Sequence, residues 1–494
     1  MTVTGCGSGG IGRRVSLRSL WPKGCVGSSP TFRTIFLSMS SRKHLLLLNP
    51  WAYDFTAYDF WLRPLGLLYL ASVIRQYTDF ELDYLDCLDC SQIASSYHFR
   101  PKGQADGRSS FFKEEVSKPE IFRHIPRKFS RYGLPYAQVE SILSQLTPPE
   151  AVLLTCTLTY WYPGVQAAVE LVRKVFGSVP VILGGVYATL CPDHARSQTG
   201  ADLVLTGPGE NQILSVLRDM AGPGPFKSRT DLPFFPDFDS LPSPAYELTH
   251  NTSVLALMTS RGCPFHCTYC ASRLLYQHFE QRRPEKVAAE ISHFKQTLDP
   301  EQIAFYDDAL LLNHDQHLIK IIQALAPLNS GLRFHTPNGL HPREIDPALA
   351  RSLKVSGFES LFLSLETSDP ALLAETGAKV SPEDVARALL NLESAGFSRS
   401  QISVYLLVGL PGQDKNQVVE SVRFVKSLGA RPRLAYFSPV PGTEDWNRLV
   451  KAGQLEADSD PLLQNKLVFP YFWSQFTPED LAEIKRLAAG QGAG

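Results

Sequence analysis

Residues 261–270 read Arg-Gly-Cys-Pro-Phe-His-Cys-Thr-Tyr-Cys, so that Cys263, Cys267 and Cys270 fall at Cys-x3-Cys-x2-Cys spacing within one short stretch. A four-iron cluster takes one thiolate per iron, and three local cysteines therefore leave one iron without a protein ligand. A cluster that only transfers electrons usually closes that position, whereas a catalytic centre keeps one coordination position open. The spacing favours a [4Fe-4S] cluster with an open corner for a small molecule.

Two plainer interpretations of the same cysteines are a zinc site and a set of core thiols. A zinc site needs a fourth Cys or His ligand. His266 lies inside the loop, but its neighbours make ligation together with all three cysteines sterically awkward. Before the loop, 254–258 is an apolar run typical of a buried strand, and 284–294 predicts a helix with proline in its first turn. This order of strand, loop and helix is expected at the carboxyl edge of a parallel α/β sheet.

The loop resembles the signature of radical S-adenosylmethionine (SAM) enzymes, including the aromatic Tyr269 before the third cysteine. The resemblance implies that the three cysteines hold the cluster and that the methionine part of SAM chelates the open iron. An electron from the cluster then cleaves SAM to a 5′-deoxyadenosyl radical. The resemblance also implies SAM contacts in the loop and at strand ends, namely Phe265, Tyr269, Asp307, Glu366, Gly409 and Pro439.

Repeated strand-helix units follow the loop, and we assign residues 251–446 to them. The predicted strands are 254–258, 302–306, 333–336, 360–365, 401–407 and 433–437. Six such strands with helices between them resemble the (β/α)6 partial TIM barrel that radical SAM enzymes share. In a barrel of this kind, the side chains at the carboxyl ends of the strands face the site.

Several of these strand ends carry the predicted SAM contacts. Glu366 ends the fourth strand, where a carboxylate can accept hydrogen bonds from ribose hydroxyls, as the matching residue does in the family. The turn 409–413 resembles the family's glycine-containing turn beside the adenine, and 438–443 resembles its Pro-Gly-Thr turn. Asp307 ends the second strand and has a plainer interpretation as a helix cap.

The N-terminal half, which we assign to residues 39–220, also alternates strands and helices. The predicted strands are 45–48, 81–85, 151–156, 179–183 and 203–206, and the predicted helices are 64–77, 164–176 and 210–220. This alternation predicts a doubly wound parallel sheet. Its ligand site would lie outside the carboxyl ends of the strands.

This half is similar to the flavodoxin-like cobalamin-binding domain that precedes the radical SAM domain in a large subfamily. The resemblance implies cobalamin contacts at turns where glycine permits close backbone approach, namely Gly66, Thr157, Gly184, Gly185, Gly207, Gly209 and Glu210. The Asp-x-His-x-x-Gly motif that supplies a lower histidine to cobalt in many cobalamin proteins is absent, and Asn49-Pro50-Trp51 stands in its place. Cobalamin would then bind without that histidine, or the domain is vestigial.

Three further segments complete the division of the chain. An insertion at 91–136 interleaves basic and aromatic residues; we expect it to cap the cofactor face, with single-stranded nucleic acid binding as the alternative. The Pro-rich segment 221–250 predicts a semi-rigid connector. The extension 447–494, which includes an aromatic run at 469–473, is expected to cover the open side of the barrel.

Residues 1–38 contain five basic and no acidic residues and no sustained periodicity. Such a segment is typical of a disordered or targeting arm. Residues 8–14 and 27–30, however, resemble what results when the D-arm and T-arm of a leucine transfer-RNA gene are translated. We therefore expect the natural start at Met39.

The overall composition narrows the class of protein. With 48 basic and 49 acidic residues the net charge is −1, so no global field attracts nucleic acid or a membrane surface. No apolar run reaches the roughly 18–20 residues of a membrane span. Nine cysteines, three of them in a loop that needs reduced thiols, favour the cytoplasm. Cys87 and Cys90 could form a redox pair but are more typical of small core residues.

Together these features predict an enzyme with a [4Fe-4S] cluster, SAM and cobalamin. The implied reaction is methylation of an unactivated carbon or a similar centre of a small molecule: one SAM methylates cobalamin and a second supplies the radical. An electron donor such as flavodoxin or ferredoxin is the implied partner. The alternatives are a radical SAM cyclase or rearrangement enzyme, an RNA-modifying enzyme with a vestigial cobalamin domain, and a non-catalytic iron-sulfur redox sensor.

Overall fold

The computed structural model describes residues 43–228, 230–328, 331–468 and 476–490. The predictions for residues 1–38, for the start at Met39 and for the aromatic run 469–473 lie outside these ranges. Within them, no helix combines the length and the apolar character needed to cross a bilayer.

The N-terminal strands build one parallel sheet and two small antiparallel sheets. The strands are β1 (His44–Asn49), β2 (Ala52–Asp54), β3 (Tyr58–Asp59), β4 (Glu81–Asp86), β5 (Ser109–Ser110), β6 (Lys113–Glu115), β7 (Ser130–Tyr132), β8 (Ala151–Cys156), β9 (Val181–Gly185) and β10 (Leu203–Val204). The helices are α1 (Leu65–Tyr77), α2 (Tyr136–Leu143), α3 (Tyr162–Phe176), α4 (Val186–Leu190), α5 (Pro192–Gln198) and α6 (Ile213–Ala221). The parallel sheet has the order β10-β9-β8-β1-β4. This is the flavodoxin-like strand order, and it confirms the predicted doubly wound fold.

Both faces of this sheet are buried, which explains the unbroken apolar sequence of β1. Leu45 and Leu47 belong to the core that contains α1 and α6, whereas Leu46 and Leu48 belong to the core that contains α3. The strand order reverses where β1 pairs with β8. A reversal of this kind opens a crevice at the carboxyl ends of the strands.

The second group of strands forms the predicted six-stranded barrel. The strands are β11 (Val254–Leu257), β12 (Ser260–Arg261), β13 (Glu280–Gln281), β14 (Gln302–Phe305), β15 (Arg333–His335), β16 (Phe358–Ser360), β17 (Phe362–Glu366), β18 (Ser403–Val408) and β19 (Arg431–Tyr436). The helices are α7 (Ser272–Leu275), α8 (Pro284–Thr297), α9 (Leu318–Leu325), α10 (Pro347–Val355), α11 (Pro370–Glu375), α12 (Pro382–Ser394), α13 (Lys415–Ser427), α14 (Glu444–Lys451) and α15 (Pro478–Ala489).

The barrel is parallel and open at one seam. β11, β14, β15 and β16 pair in that order, and β17, β18 and β19 continue the series. β16 and β17 are separated only by Leu361, and a bridge between Leu340 and Leu363 joins the two groups. The predicted strand 360–365 therefore occurs as two pieces. Among the described residues, β19 pairs only with β18, which leaves it at the edge.

The C-terminal extension packs against this edge and reaches β2 in the N-terminal half. Leu481 and Ile484 of α15 are buried in the barrel's outer core, and Lys415 of α13 forms an ion pair with Asp480 at 2.8 Å. Earlier in the extension, Asn465 Nδ2 donates a hydrogen bond to Asp54 Oδ1 at 2.9 Å. The extension thus contacts both halves of the fold.

The connector 221–250 is less independent than predicted. Phe238, Leu241 and Tyr246 are buried in the same core as Leu47 of β1 and Leu255 of β11. The Tyr246 hydroxyl donates to Ala256 O at 2.5 Å. Proline-rich composition indicated a spacer, but its aromatic residues anchor it between the two sheets.

The insertion 91–136 does not cap the cofactor face as predicted. The loop before β5 lies at the amino end of the barrel, where Arg333 Nη1 donates to Ala105 O at 2.7 Å. A side chain at Gly107 would meet Val254 Cγ2 at 2.7 Å. Trp61 is fully buried there, and its Nε1 donates to Asp106 O at 2.5 Å. The loop before β5 and the segment before α1 therefore close the end of the barrel opposite the strand carboxyl ends.

Candidate active site

The cysteine loop is held by a short antiparallel pairing of β12 with β13. Gly262 follows β12 with φ 75°, and an added Cβ would lie 2.5 Å from His278 O, so only glycine fits. Before β12, the Asp307 carboxylate accepts hydrogen bonds from Thr259 Oγ1 and Ser260 Oγ, both at 2.6 Å. The start of the loop is thereby fixed to the end of β14.

The three cysteines of the loop are free thiols in the protein without its cofactors. Burial raises the pKa of Cys263 and of Cys267, and it raises the pKa of Cys270 to about 11. The negative charges of Asp308, Cys267 and Cys263 also raise the pKa of Cys270. Because iron binds thiolates, cluster assembly must release these protons.

The three cysteines offer a set of thiolates, which are the ligands of a [4Fe-4S] cluster. Across the described residues, no group of three or more His, Cys, Asp or Glu side chains is arranged to hold one metal ion. A zinc site needs such a convergent group. In a [4Fe-4S] cluster each cysteine binds a different iron, so the three sulfurs stand further apart.

Glu366 reaches the loop from the end of β17. Its backbone has φ 72°, which is rare outside glycine, and the register with β18 shifts between Ser364 and Glu366. Its carboxylate receives hydrogen bonds from Ser364 and Tyr269. Burial raises the pKa of Glu366, while the positive charge of Lys379 and these hydrogen bonds oppose the increase. The predicted SAM residues Tyr269 and Glu366 are therefore in contact.

A small cavity beside the loop brings together predicted and unpredicted residues. Phe265, Asp308, His341 and Lys379 line it, as does Asp307. Phe265 packs on His341 with ring centroids 4.6 Å apart, and Lys379 Nζ lies 5.8 Å from the Phe265 ring centroid. A cation beside the cysteine loop could hold an anionic group of a small molecule.

Asp307 was predicted as a SAM contact and its neighbour Asp308 was not, and the two carboxylates have different partners. The Asp307 carboxylate is buried and engaged by Thr259 and Ser260, so its hydrogen bonds position the loop. Asp308 instead lines both this cavity and the larger one described below, and its Oδ2 accepts from Ser272 Oγ at 2.5 Å. The alternation of side chains along a strand was the signal that could have favoured Asp308. Lys379 lies in a loop between helices and carries no such signal.

Gly409 and Pro439 are not brought to either cavity. Gly409 follows β18 with φ 94°, and its N–H donates to Gln413 Oε1 at 2.7 Å. Pro439 follows β19 and is buried. Their role beside SAM stays a prediction.

A larger cavity lies at the crevice of the flavodoxin-like sheet. Its volume is about 340 Å³, which lies within the roughly 300–1,000 Å³ of ordinary small-molecule pockets, and one side of it is open. All of the predicted cobalamin contacts line it: Gly66, Thr157, Gly184, Gly185, Gly207, Gly209 and Glu210. The barrel contributes Ala256, Met258, Tyr306 and Asn338.

The glycines of this cavity fit a ligand cradle. A Cβ added at Gly66, Gly184 or Gly207 would meet no protein atom within 4 Å. Packing against other protein atoms therefore does not require glycine at these positions, and the space beside them is open to a ligand. Gly207 and Gly185 are also required by the backbone, with φ of 72° and 92°, and at Gly185 an added Cβ would in addition lie 2.7 Å from Thr155 Oγ1.

The lining of this cavity agrees with the missing histidine motif. No histidine is found among the described residues that line it. Asn49, which stands where that motif would begin, donates from Nδ2 to Asp86 Oδ1 at 2.7 Å within the protein. Glu210 lines the cavity with its carboxylate paired to Arg261, and its contact with cobalamin stays a prediction.

Residues 257–425 match the family model described as the Radical SAM superfamily. An uncharacterized methyltransferase of Pyrococcus horikoshii is 22% identical over 383 residues, which cover 72% of this chain and 79% of the relative. Cytidylyl-2-hydroxyethylphosphonate methyltransferase of Streptomyces wedmorensis is 20% identical over 507 residues, which cover 89% of this chain and 88% of the relative.

Two solved structures share the fold. That of the radical S-adenosylmethionine methyltransferase TsrM from Kitasatospora setae, with cobalamin and a [4Fe-4S] cluster bound, has a TM-score of 0.62 at 14% identity and covers 90% of this chain and 89% of that chain. That of the cobalamin-dependent S-adenosylmethionine radical enzyme OxsB, with aqua-cobalamin and S-adenosylmethionine bound, has a TM-score of 0.61 at 12% identity and covers 90% of this chain and 66% of that chain.

Proposed function

We propose that this chain, whose residues 257–425 form a radical SAM domain, is a cobalamin-dependent enzyme that methylates an unactivated carbon or a similar centre of a small molecule. The observation that carries the proposal is the large glycine-lined cavity. It is bounded on one side by the crevice of the flavodoxin-like sheet and on the other by the carboxyl end of the barrel. A cofactor bound there would face the site where a radical is made.

The residues divide between two cofactors. Cys263, Cys267 and Cys270 would hold a [4Fe-4S] cluster, and the glycine turns would hold cobalamin. When bound, the cluster with SAM supplies a 5′-deoxyadenosyl radical and cobalamin supplies a methyl group.

The protein's own contribution is orientation and the exclusion of water. The Glu366 carboxylate is held by Tyr269 and Ser364, so it is positioned to accept hydrogen bonds from the ribose of SAM. Lys379 beside Phe265 offers a positive charge to the carboxylate of SAM. The cavity between the two sheets keeps the reacting groups out of bulk solvent.

Methylation is favoured over other radical reactions by the relatives. Both curated relatives described above are named methyltransferases, and so is TsrM, whose structure covers most of this chain. Nucleic acid modification is not favoured, because the loop of the basic insertion before β5 lies at the opposite end of the barrel from the cavity.

The cluster loop also implies an electron donor and a reducing cellular compartment. Cleavage of SAM needs one electron, for which a flavodoxin or ferredoxin is the expected source. Free thiols at the loop suit a reducing compartment, and we place the enzyme in the cytoplasm.

The test uses anaerobically reconstituted protein with cobalamin, reductant and SAM, and it measures two products of SAM. Radical cleavage gives 5′-deoxyadenosine, and methyl transfer gives S-adenosylhomocysteine. The proposal expects both, with S-adenosylhomocysteine formed only when cobalamin is bound. Release of 5′-deoxyadenosine alone would indicate a radical enzyme that does not methylate, such as a cyclase. Release of neither would overturn the proposal in favour of a redox sensor.

A further inference from the structure

We propose that Glu210 and Arg261 are positioning residues that lock the cysteine loop to the cobalamin cavity, so that the occupancy of the cavity sets the affinity of the cluster for SAM. The inference rests on the proposed function. It concerns an ion pair that joins the two halves of the fold, and it assigns the pair a role in coupling two binding sites.

The two residues come from different sheets and meet at the cavity. Glu210 lies in the turn between β10 and α6, and Arg261 ends β12, two residues before Cys263. Arg261 Nη2 forms an ion pair with Glu210 Oε1, and the side chains are only 11% and 8% exposed. Both residues line the cavity. The pair therefore connects the glycine turn of one cofactor site with the ligand loop of the other.

Three aromatic rings surround the guanidinium. Its Cζ lies 4.1 Å from the ring centroid of Phe238, 5.5 Å from that of Tyr276 and 5.7 Å from that of Tyr69. Phe238 belongs to the connector, Tyr276 follows α7, and Tyr69 belongs to α1. A planar guanidinium can stack on rings while donating to a carboxylate, which an ammonium group cannot do in the same way. The cage fixes the direction of Arg261.

The arrangement is specialised for orientation more than for stability. Burying two charges costs about as much as their attraction returns, so a buried ion pair alone is weak evidence for stabilisation. Arg261 Nε has no hydrogen-bond partner among the described residues, which adds to the cost. A pair retained despite this cost, at the junction of two cofactor sites, is best explained by the geometry it imposes.

Arg261 is close enough in sequence to Cys263 to influence the position of this first cluster ligand. Gly262 is the one residue between Arg261 and Cys263, and it has φ 75° and no room for a side chain, since an added Cβ would lie 2.5 Å from His278 O. A shift of the 207–210 turn therefore moves Arg261 and with it the first cluster ligand. A ligand that orders this turn will order the loop, and SAM bound at the loop will reciprocally favour that ligand.

A second buried ion pair in the barrel provides a matched control. Arg282 and Glu290 form two hydrogen bonds of 2.9 Å, and each side chain is 1% exposed. Neither residue lines the cavity, although Arg282 shares the Phe238 ring with Arg261, its Cζ lying 5.4 Å from the ring centroid. Glu290→Gln should therefore lower stability without changing the coupling between the sites.

The test measures SAM affinity from the change in the electron paramagnetic resonance spectrum of the reduced cluster, with and without cobalamin. In the wild type, cobalamin should tighten SAM binding by at least about fivefold. In Glu210→Gln the ratio of SAM affinity with cobalamin to SAM affinity without it should fall to about one, with iron and sulfide content unchanged. Arg261→Lys, which keeps the charge but not the planar stacking, should give an intermediate ratio. Glu290→Gln should keep the wild-type ratio, and thermal unfolding reports the folding of each variant.

The outcomes separate this inference from the proposed function. If wild-type protein binds no cobalamin, the proposed function fails and the inference falls with it. If cobalamin binds and both SAM products form, but the ratio is one in the wild type or unchanged in Glu210→Gln, only the inference is overturned. Should Glu210→Gln fail to fold, an unchanged ratio in Arg261→Lys overturns it.

Discussion

The carboxyl end and the amino end of the barrel are both lined by strand side chains, but they are filled in different ways. The carboxyl end opens into the glycine-lined cavity and carries the cysteine loop and Glu366. The amino end is filled by protein: Trp61 is fully buried and stacks on His335 with centroids 4.6 Å apart and an angle of 14°. Phe60 packs on Phe362 at 5.4 Å.

Both ends contain a residue with a strained backbone, and the contrast shows what such strain means. Trp61 has φ 61° and Glu366 has φ 72°. At Trp61 the strain serves packing, because the ring is enclosed and its Nε1 is bonded to Asp106 O. At Glu366 the strain directs a carboxylate toward the cysteine loop. A left-handed residue indicates function only where it faces a site.

The largest expected effect is at the carboxyl end. Replacing Cys263 by Ala removes a ligand from one iron, so cluster content and 5′-deoxyadenosine release should fall to background. Iron and sulfide analysis with product quantification checks this. The control is Cys90→Ala, which also removes a half-buried thiol and should leave both values unchanged. Equal cluster content in the two variants would contradict the assignment of the cluster.

At the amino end, Trp61→Ala should lower the free energy of unfolding by about 3–5 kcal/mol, because it empties a fully buried site. Denaturant unfolding measures the change. The exposed Phe234→Ala, with Phe234 74% exposed, should stay within about 0.5 kcal/mol of the wild type. If Trp61→Ala were as stable as the wild type, the amino end would not be a packed core.

Glu366→Gln should weaken SAM binding by about tenfold, because a charged hydrogen-bond acceptor contributes roughly 1.5–3 kcal/mol. Cluster content should be preserved. Stability should not fall, since a buried charge is removed. Isothermal titration of the reconstituted protein measures the affinity, and Glu359→Gln on β16 is the exposed control. A variant that binds SAM as tightly as the wild type would remove Glu366 from the SAM site.

The smallest expected effect is on the free energy of unfolding, and it appears only at acidic pH. Burial lowers the pKa of His335 from 6.5 to about 4, so the folded state binds fewer protons than the unfolded state between these values. Stability should therefore fall as the pH decreases from 6.5 toward 4. His335→Phe keeps a ring against Trp61 and should reduce this slope, although the Gln302 amide loses its partner at 2.7 Å. Unfolding curves across this pH range should show a shallower slope in the variant; an unchanged slope would contradict the pKa assignment.

The sequence was most informative where a local pattern decides the structure. Apolar runs predicted the central strands of both sheets, and glycine turns predicted the residues around the large cavity. Short antiparallel strands such as β3 and β5 have two residues each and carry no periodicity. Their pairing depends on tertiary contacts.

The contacts that the sequence did not indicate also depend on tertiary structure. Glu210 looked free for a ligand because its partner Arg261 lies 51 residues further along the chain. The insertion was expected over the cofactor face, but amino-acid composition does not indicate which end of the fold a loop covers. Asp308 was not predicted because the alternating direction of side chains along a strand was not applied at the strand ends.

The most direct measurement is the metal content of the chain purified anaerobically and supplied with cobalamin, iron and sulfide. The account predicts about four irons and about one cobalt per chain, with the iron lost in Cys263→Ala and the cobalt retained. A protein that binds the iron but no cobalt would contradict the central claim that one chain unites the two cofactors.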